Sequence, residues 1–244
     1  SMEVYVESKK RLLRACDRNS YVVLNYDNAL TRQFAIENVA KLMWFTNQNP
    51  MLLGGEFAEQ FRGVYCDAPA KRMVAKITGR EEVYDISQFR LLGGHNRENL
   101  MAAICAARAM GVSQKAIQTV INDFKGVPHR LEFVRRKDGV YFFNDSKSTN
   151  AMSMMRSLQA FQHSPVILIA GGRDKNTEFG HLGPLVQKKC KILILLGEAK
   201  EKLNRSLGDF AETYLVGTFE EAILLAYQKS RSGDIILLSP GCAS

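Results

Sequence analysis

The segment Asn144–Asn150, NDSKSTN, places an acid, a lysine and two kinds of hydroxyl directly behind the apolar run VYFF. Two other apolar runs end in similar chemistry. VILIAGG is followed by Arg173, Asp174 and Lys175, and IILL by Ser239 and, further on, Ser244. Ammonium groups and hydroxyls converging on one rim would suit a small dianionic carboxylate. Each residue alone has an ordinary explanation. Ser148 and Thr149 could cap a following helix, and the lysines could lie along apolar surface with their heads in water. Taken together at three strand ends, the functional reading is the better one. Asn144 and Asn150 read as turn residues.

The elements that must position these groups follow from hydrophobic period. From about residue 128, apolar strands alternate with amphipathic helices. A hairpin turns at Asp138-Gly139, a helix starts near Ala151, and Thr218 with Glu221 reads as a capping box. Strand–helix alternation predicts an α/β fold with a parallel, doubly wound, Rossmann-like sheet, whose ligands sit at the strands' carboxyl ends. The first half is mixed. VESKKRLLRAC has helical spacing and YVVLNYD reads as a strand, as do PMLLGGEF, RMVAKITG and ISQFRLLGG. HNRENLMAAICAARAMG predicts a helix stopped by Gly111. SQKAIQTVINDF predicts another, capped by Ser113, with Ile117, Val120, Ile121 and Phe124 on its apolar stripe. Gly126 and Pro128 mark a composition break, giving domains 1–127 and 128–244.

Bulk properties narrow the classes. The 244 residues are 46% hydrophobic and 24% charged, ordinary for a globular chain. No apolar run approaches the ~20 residues of a membrane helix, so no membrane partner is expected. The opening Ser-Met reads as a cleavage scar, with natural sequence expected upstream. The five cysteines are scattered without a CxxC pair, which predicts reduced cytoplasmic thiols and no zinc site. The net charge of +8 and pI near 9.3 suit anionic ligands. The basic residues are dispersed and carry no arginine block or stacking pattern, so no nucleic-acid partner is expected. A monomer is expected.

Read in order, YVESKKRLL, VVLNYDNAL, GGHNRENLMAA, GVPHRLEFV, NDSKSTN, GGRDKNTEF and LLSPGCAS resemble the Mur ligases of peptidoglycan synthesis over nearly the whole chain. HNxxN and PHRxE are shared with folylpolyglutamate synthase relatives. NDSKxTN is more discriminating and points to the members that join D-glutamate to UDP-N-acetylmuramoyl-L-alanine. The resemblance implies the C-terminal part of a central ATPase domain followed by a Rossmann-like amino-acid domain. It implies ATP and Mg2+ as cofactors and an acyl-phosphate route to an amide. It places Lys9 as a carbamylated lysine assisting a metal, with Lys10 beside it as the alternative. It assigns Asn96, Asn99, Arg130 and Asp145 to ATP, and Lys147, Thr149, Lys175 and Ser244 to D-glutamate. His95 could cap the turn that carries Asn96, and His129 reads as structural.

The family's phosphate-binding loop, GxxGKT/S, is missing from this sequence, as is its uridine-nucleotide domain. A fragment without turnover of its own is therefore expected. Two other readings stay open: a sister ligase with another amino acid, and a non-catalytic Rossmann-like binding module.

Overall fold

The computed structural model describes residues 2–36, 39–162, 164–174 and 177–243. They divide into two compact units, Ser1–Arg90 with Gly94–Phe124, and Leu91–Gly93 with Lys125–Ser244.

The first unit runs α1 (Met2–Arg14), β1 (Tyr21–Asn25), α2 (Ala29–Ile36), β2 (Lys41–Thr46), α3 (Pro50–Leu53), α4 (Gly55–Gln60), β3 (Gly63–Asp67), β4 (Arg72–Lys76), β5 (Glu81–Asp85), α5 (Gly94–Ala109) and α6 (Gln114–Asp123). Its sheet has the order β1-β2-β3-β4-β5. β1, β2 and β3 are parallel, and β4 and β5 continue as antiparallel neighbours. Met43, Val64, Cys66, Met73 and Tyr84 pack against Met101, Ile104 and Cys105 of α5 and Ile117 and Ile121 of α6.

Two strand expectations fail in this unit. PMLLGGEF is the helix pair α3 and α4. Asn49 accepts the Met51 amide and Pro50 occupies the first helical turn, an N-terminal signature that outweighs the apolar run. ISQFRLLGG forms no strand. Its start is a turn in which the Asp85 carboxylate accepts the Ser87 amide and hydroxyl, at 2.8 and 2.9 Å. The strand lies just before it, at Glu81–Asp85. On α6, Ile117 and Ile121 are buried, but Val120 is exposed and Phe124 lies past the helix end.

The second unit runs β6 (Glu132–Lys137), β7 (Val140–Asn144), α7 (Ala151–Ala160), β8 (Val166–Gly171), α8 (Gly183–Lys189), β9 (Cys190–Leu196), α9 (Lys200–Leu207), β10 (Glu212–Leu215), α10 (Phe219–Lys229) and β11 (Ile235–Leu238). The sheet order is β10-β9-β8-β11-β7-β6, parallel except for β6. The β6–β7 hairpin turns at Asp138 and Gly139, with φ of 51° and 81°, as an Asp-Gly pair allows.

Helices cover both faces. Leu168, Leu193 and Leu237 pack with α7, α8 and α9 residues, while Ile167, Ile169, Ile194 and Ile236 pack with Ala222 and Ala226 of α10. This coverage explains why the central strands read as unbroken apolar runs. In the α10 capping box, Thr218 Oγ1 accepts the Glu221 amide at 3.1 Å, and the Glu221 carboxylate accepts the Gly217 amide at 2.8 Å instead of Thr218's own. None of the described helices is long and apolar enough to cross a membrane.

Candidate functional site

In the second unit β8, β11 and β7 are adjacent, so the segments leaving their carboxyl ends meet. Those segments carry Arg173 and Asp174, Ser239–Ala243, and Asp145–Asn150. The backbone stitches them together. Gly171 N donates to Pro240 O at 3.0 Å, Gly241 N to Ser148 O at 2.8 Å, and Arg173 N to Ala243 O at 2.9 Å. The shared rim expected from the strand ends is therefore observed. Lys175 and Ser244 lie outside the described residues.

Within the β7–α7 loop the polar residues divide the work. Asn144 Oδ1 accepts the Ser146 amide at 3.0 Å, and Asn150 Oδ1 accepts the Ser153 amide at 2.8 Å, capping α7. The cap thus falls to Asn150, leaving Thr149 uncommitted. Lys147 and Thr149 are exposed, and their side chains make no hydrogen bond or ion pair to the described residues. Ser148 is buried, 2% exposed. Asp145 behaves differently. It is 6% exposed, and its carboxylate accepts the Leu131 amide at 3.1 Å and the Ser157 and Ser239 hydroxyls at 2.5 and 3.0 Å. The expected nucleotide contact of Asp145 meets a carboxylate already committed to three protein donors.

Arg130 is exposed on a tight loop, between His129 and Leu131 at φ of 67° and 46°. The His129 amide donates to the Glu132 carboxylate at 2.8 Å, and its carbonyl accepts the Lys147 amide at 3.1 Å. His129 Nδ1 pairs with Asn144 Nδ2 at 3.0 Å, so the histidine does serve the loop. Asp174 takes both oxygens of its carboxylate to Lys202 Nζ, each at 3.0 Å. Cys242 is buried at the rim, and burial pushes its thiol up to about 11, unfit as a nucleophile at neutral pH.

In the first unit α5 begins at Gly94, so His95 and Asn96 lie inside its first turn and are not its cap. Asn99 is exposed about one turn further along, its side-chain amide 3.5 Å from Asn96 Oδ1. The carboxyl ends of β1 and β2 meet this turn. Asp27 accepts the Thr46 hydroxyl at 2.6 Å and the Asn47 amide at 2.8 Å, and Asn47 Nδ2 reaches Asp27 at 3.1 Å and Glu98 at 3.2 Å. Asn47 thereby ties two strand ends to the helical turn that bears Asn96 and Asn99. Sequence reasoning missed this tie, because nothing in the spacing of residues 27, 47 and 98 announces a contact.

Burial pushes the Asp27 carboxyl up, but hydrogen bonds from the Asn47 amide and the Thr46, Asn47 and Gln48 side chains outweigh it and hold the pKa below the ordinary value. A depressed carboxylate contributes stability that is complete above the unfolded-chain pKa of about 3.9 and is lost as pH falls through the folded value. The urea midpoint, followed by Trp44 fluorescence, is thus expected to fall below pH 4 more steeply in the unsubstituted chain than in Asp27→Asn. Equal slopes would refute the assignment.

Lys9 is exposed on α1, its Nζ 5.4 Å from the Tyr5 ring centroid, and Lys10 Nζ lies 5.6 Å from the Phe34 ring centroid. Among the described residues no group of three or more His, Cys, Asp or Glu could hold a metal. Even carbamylated, Lys9 would offer two of the roughly six oxygens Mg2+ requires, so the described residues do not by themselves fit the ion.

Family comparison matches residues 129–242 to the Mur ligase glutamate ligase domain and residues 1–107 to the Mur ligase middle domain. Similar proteins include the UDP-N-acetylmuramoylalanine–D-glutamate ligases of Bdellovibrio bacteriovorus, 44% identical over 100% of this chain and 52% of that protein. Those of Geotalea uraniireducens, 37% identical over 98% and 50%, and Clostridioides difficile, 37% identical over 100% and 52%, are also similar. The chain spans about half the length of the curated relatives it matches. Among solved structures, MurF from Acinetobacter baumannii superposes with a TM-score of 0.69 at 17% identity, covering 99% of this chain and 53% of that one. A pseudomurein peptide ligase type C from Methanothermus fervidus gives 0.69 at 17%, covering 99% and 57%. The two domain matches, in sequence order and together covering most of the chain, lead to one conclusion: the chain belongs to the Mur ligase family, with residues 1–107 matching its middle domain and residues 129–242 its glutamate ligase domain.

Proposed function

We propose that the full-length product of this gene joins D-glutamate to UDP-N-acetylmuramoyl-L-alanine in the cytoplasm, as a monomer, at the expense of ATP. The observation that carries the reading is the rim of the second unit, where uncommitted, exposed Lys147 and Thr149 stand beside the strand-end segments of β8 and β11. The names of the similar proteins supply the substrates.

The reaction transfers the γ-phosphoryl group of ATP to the substrate carboxylate, giving an acyl phosphate and ADP. The D-glutamate amine attacks the acyl carbon, the C–N bond forms, the C–O bond to phosphate breaks, and the amine loses a proton as phosphate leaves. Catalysis of this kind is mostly positioning and charge neutralisation. In this reading Lys147, Thr149, Lys175 and Ser244 hold the amino acid's carboxylates. Asn96 and Asn99 hold the adenine end of ATP, and Arg130 its phosphates, with residues 1–127 and 128–244 as the two domains. Lys9 is assigned to the Mg2+ site of the whole enzyme.

The test is ATP-dependent phosphate release by the full-length product with UDP-N-acetylmuramoyl-L-alanine, comparing D-glutamate, L-glutamate, L-alanine and a diamino acid. Turnover with D-glutamate alone is expected, and turnover with another amino acid alone would overturn the assignment of NDSKSTN. The 244-residue chain by itself is expected to release no phosphate above a no-enzyme blank.

A further inference from the structure

We propose that Asp145, Ser157 and Ser239 form a polar buckle that sets the geometry of the amino-acid rim, with the two serines as positioning residues. The proposal rests on the ligase reading above.

The three side chains come from three elements: the end of β7, the second turn of α7 and the end of β11. They are 6%, 5% and 0% exposed. Both hydroxyls converge on Asp145 Oδ2, at 2.5 and 3.0 Å, while Oδ1 takes the Leu131 amide at 3.1 Å. Stability alone does not call for such a group. Replacing a buried polar cluster by apolar side chains of similar volume is often neutral or favourable. What the carboxylate adds is direction, because its charge-assisted bonds hold each donor at one place where apolar contacts would let it slide.

Each held position governs a rim residue. Lys147 and Thr149 follow Asp145 by two and four residues. Ser239 opens the segment whose Gly241 amide bonds Ser148 O at 2.8 Å and whose Ala243 carbonyl accepts Arg173 N at 2.9 Å. The same two loops are therefore tied twice, once through side chains below the rim and once through backbone at it. Leu131, held at φ 46° while its amide bonds Asp145, adjoins Arg130. One carboxylate thus registers the β7 loop, the β11 segment and the arginine loop against one another.

The test uses the full-length gene product carrying Ser157→Ala, Ser239→Ala, both changes together, and Ser157→Thr, which keeps a hydroxyl. A hydrogen bond to a charged group, when lost, corresponds to a change of about 10-fold or more. KM for D-glutamate is expected to rise by about that factor in each alanine variant, with KM for ATP changed less than about threefold, and Ser157→Thr is expected to restore most of it. A lowered thermal midpoint with an unchanged KM for D-glutamate would reduce the buckle to a structural role and overturn the proposal. Amide exchange separates this outcome from failure of the ligase reading. In Ser157→Ala, the Leu131 and Gly241 amides are expected to exchange about tenfold faster whatever the substrate proves to be, and unchanged exchange would overturn the buckle independently of any turnover.

Discussion

In the full-length gene product, Arg130→Ala is expected to lower kcat/KM for ATP about 10²–10³-fold, the usual consequence of losing one preorganised cationic donor, while leaving the thermal midpoint in place. The two halves of that expectation rest on different observations. The stability half follows from exposure: the guanidinium makes no hydrogen bond or ion pair to the described residues. The activity half follows from the backbone that presents it. Two non-glycine neighbours, His129 and Leu131, both hold positive φ. Such conformations cost about 1–3 kcal/mol each and persist where surrounding contacts enforce them, commonly at functional sites. Here the Glu132 carboxylate, the Asp145 carboxylate and the Lys147 amide do the enforcing. A loop held in strain to display an unpaired cation is poorly explained by folding alone. Arg130→Lys should recover only part of the activity, because an ammonium cannot reproduce the guanidinium fork. A kcat/KM for ATP within threefold of the unsubstituted enzyme would refute the role.

The sequence pattern exposed the second unit far better than the first. Its central strands are buried on both faces, so VILIAG and KILILL stand out as apolar runs, and Asp138-Gly139 and Thr218–Glu221 are local signals that need no tertiary knowledge. In the first unit β2 and β5 are mixed in burial. KLMWFT buries only Met43 and Thr46 although four of its six residues are apolar, and EEVYD buries only Glu82 and Tyr84, so in neither does the apolar pattern match the buried positions. Long-range polar partners were the least legible. Ser239 lies 94 residues from Asp145, and only the strand order that inserts β11 between β7 and β8 brings them together. Ser157 left a faint signal, a hydroxyl interrupting the buried face formed by Ala151, Met154 and Leu158. A polar residue at a core-facing helical position requires a partner, but the sequence does not say which one. In the proposed reading the family motifs locate the chemistry, and packing decides which of their residues are left exposed and which are tied to their neighbours.

Gly171→Ala is expected to destabilise the second unit by about 3 kcal/mol or more, among the larger effects a single methyl can have. Gly171 closes β8 opposite Leu196 of β9, at φ 128°. A Cβ there would stand 1.9 Å from the Leu196 carbonyl oxygen and 2.9 Å from its carbon. Both are backbone atoms of a paired strand, so relief requires parting β8 from β9, and the left-handed region adds its own penalty. Gly172→Ala meets a different obstacle. Its Cβ would lie 2.4 Å from the Ala243 carbonyl oxygen, in the segment behind β11 that accepts the Arg173 amide. That segment can retreat where a central strand cannot. Gly172→Ala should therefore cost less stability than Gly171→Ala, yet disturb the rim more, raising KM for the amino acid in the full-length enzyme. Urea titration by far-ultraviolet circular dichroism orders the two variants, and a Gly171→Ala midpoint matching the unsubstituted chain would refute the steric argument. The reverse order would mean that the rim segment, and not the β8–β9 pair, is the rigid partner at this strand end.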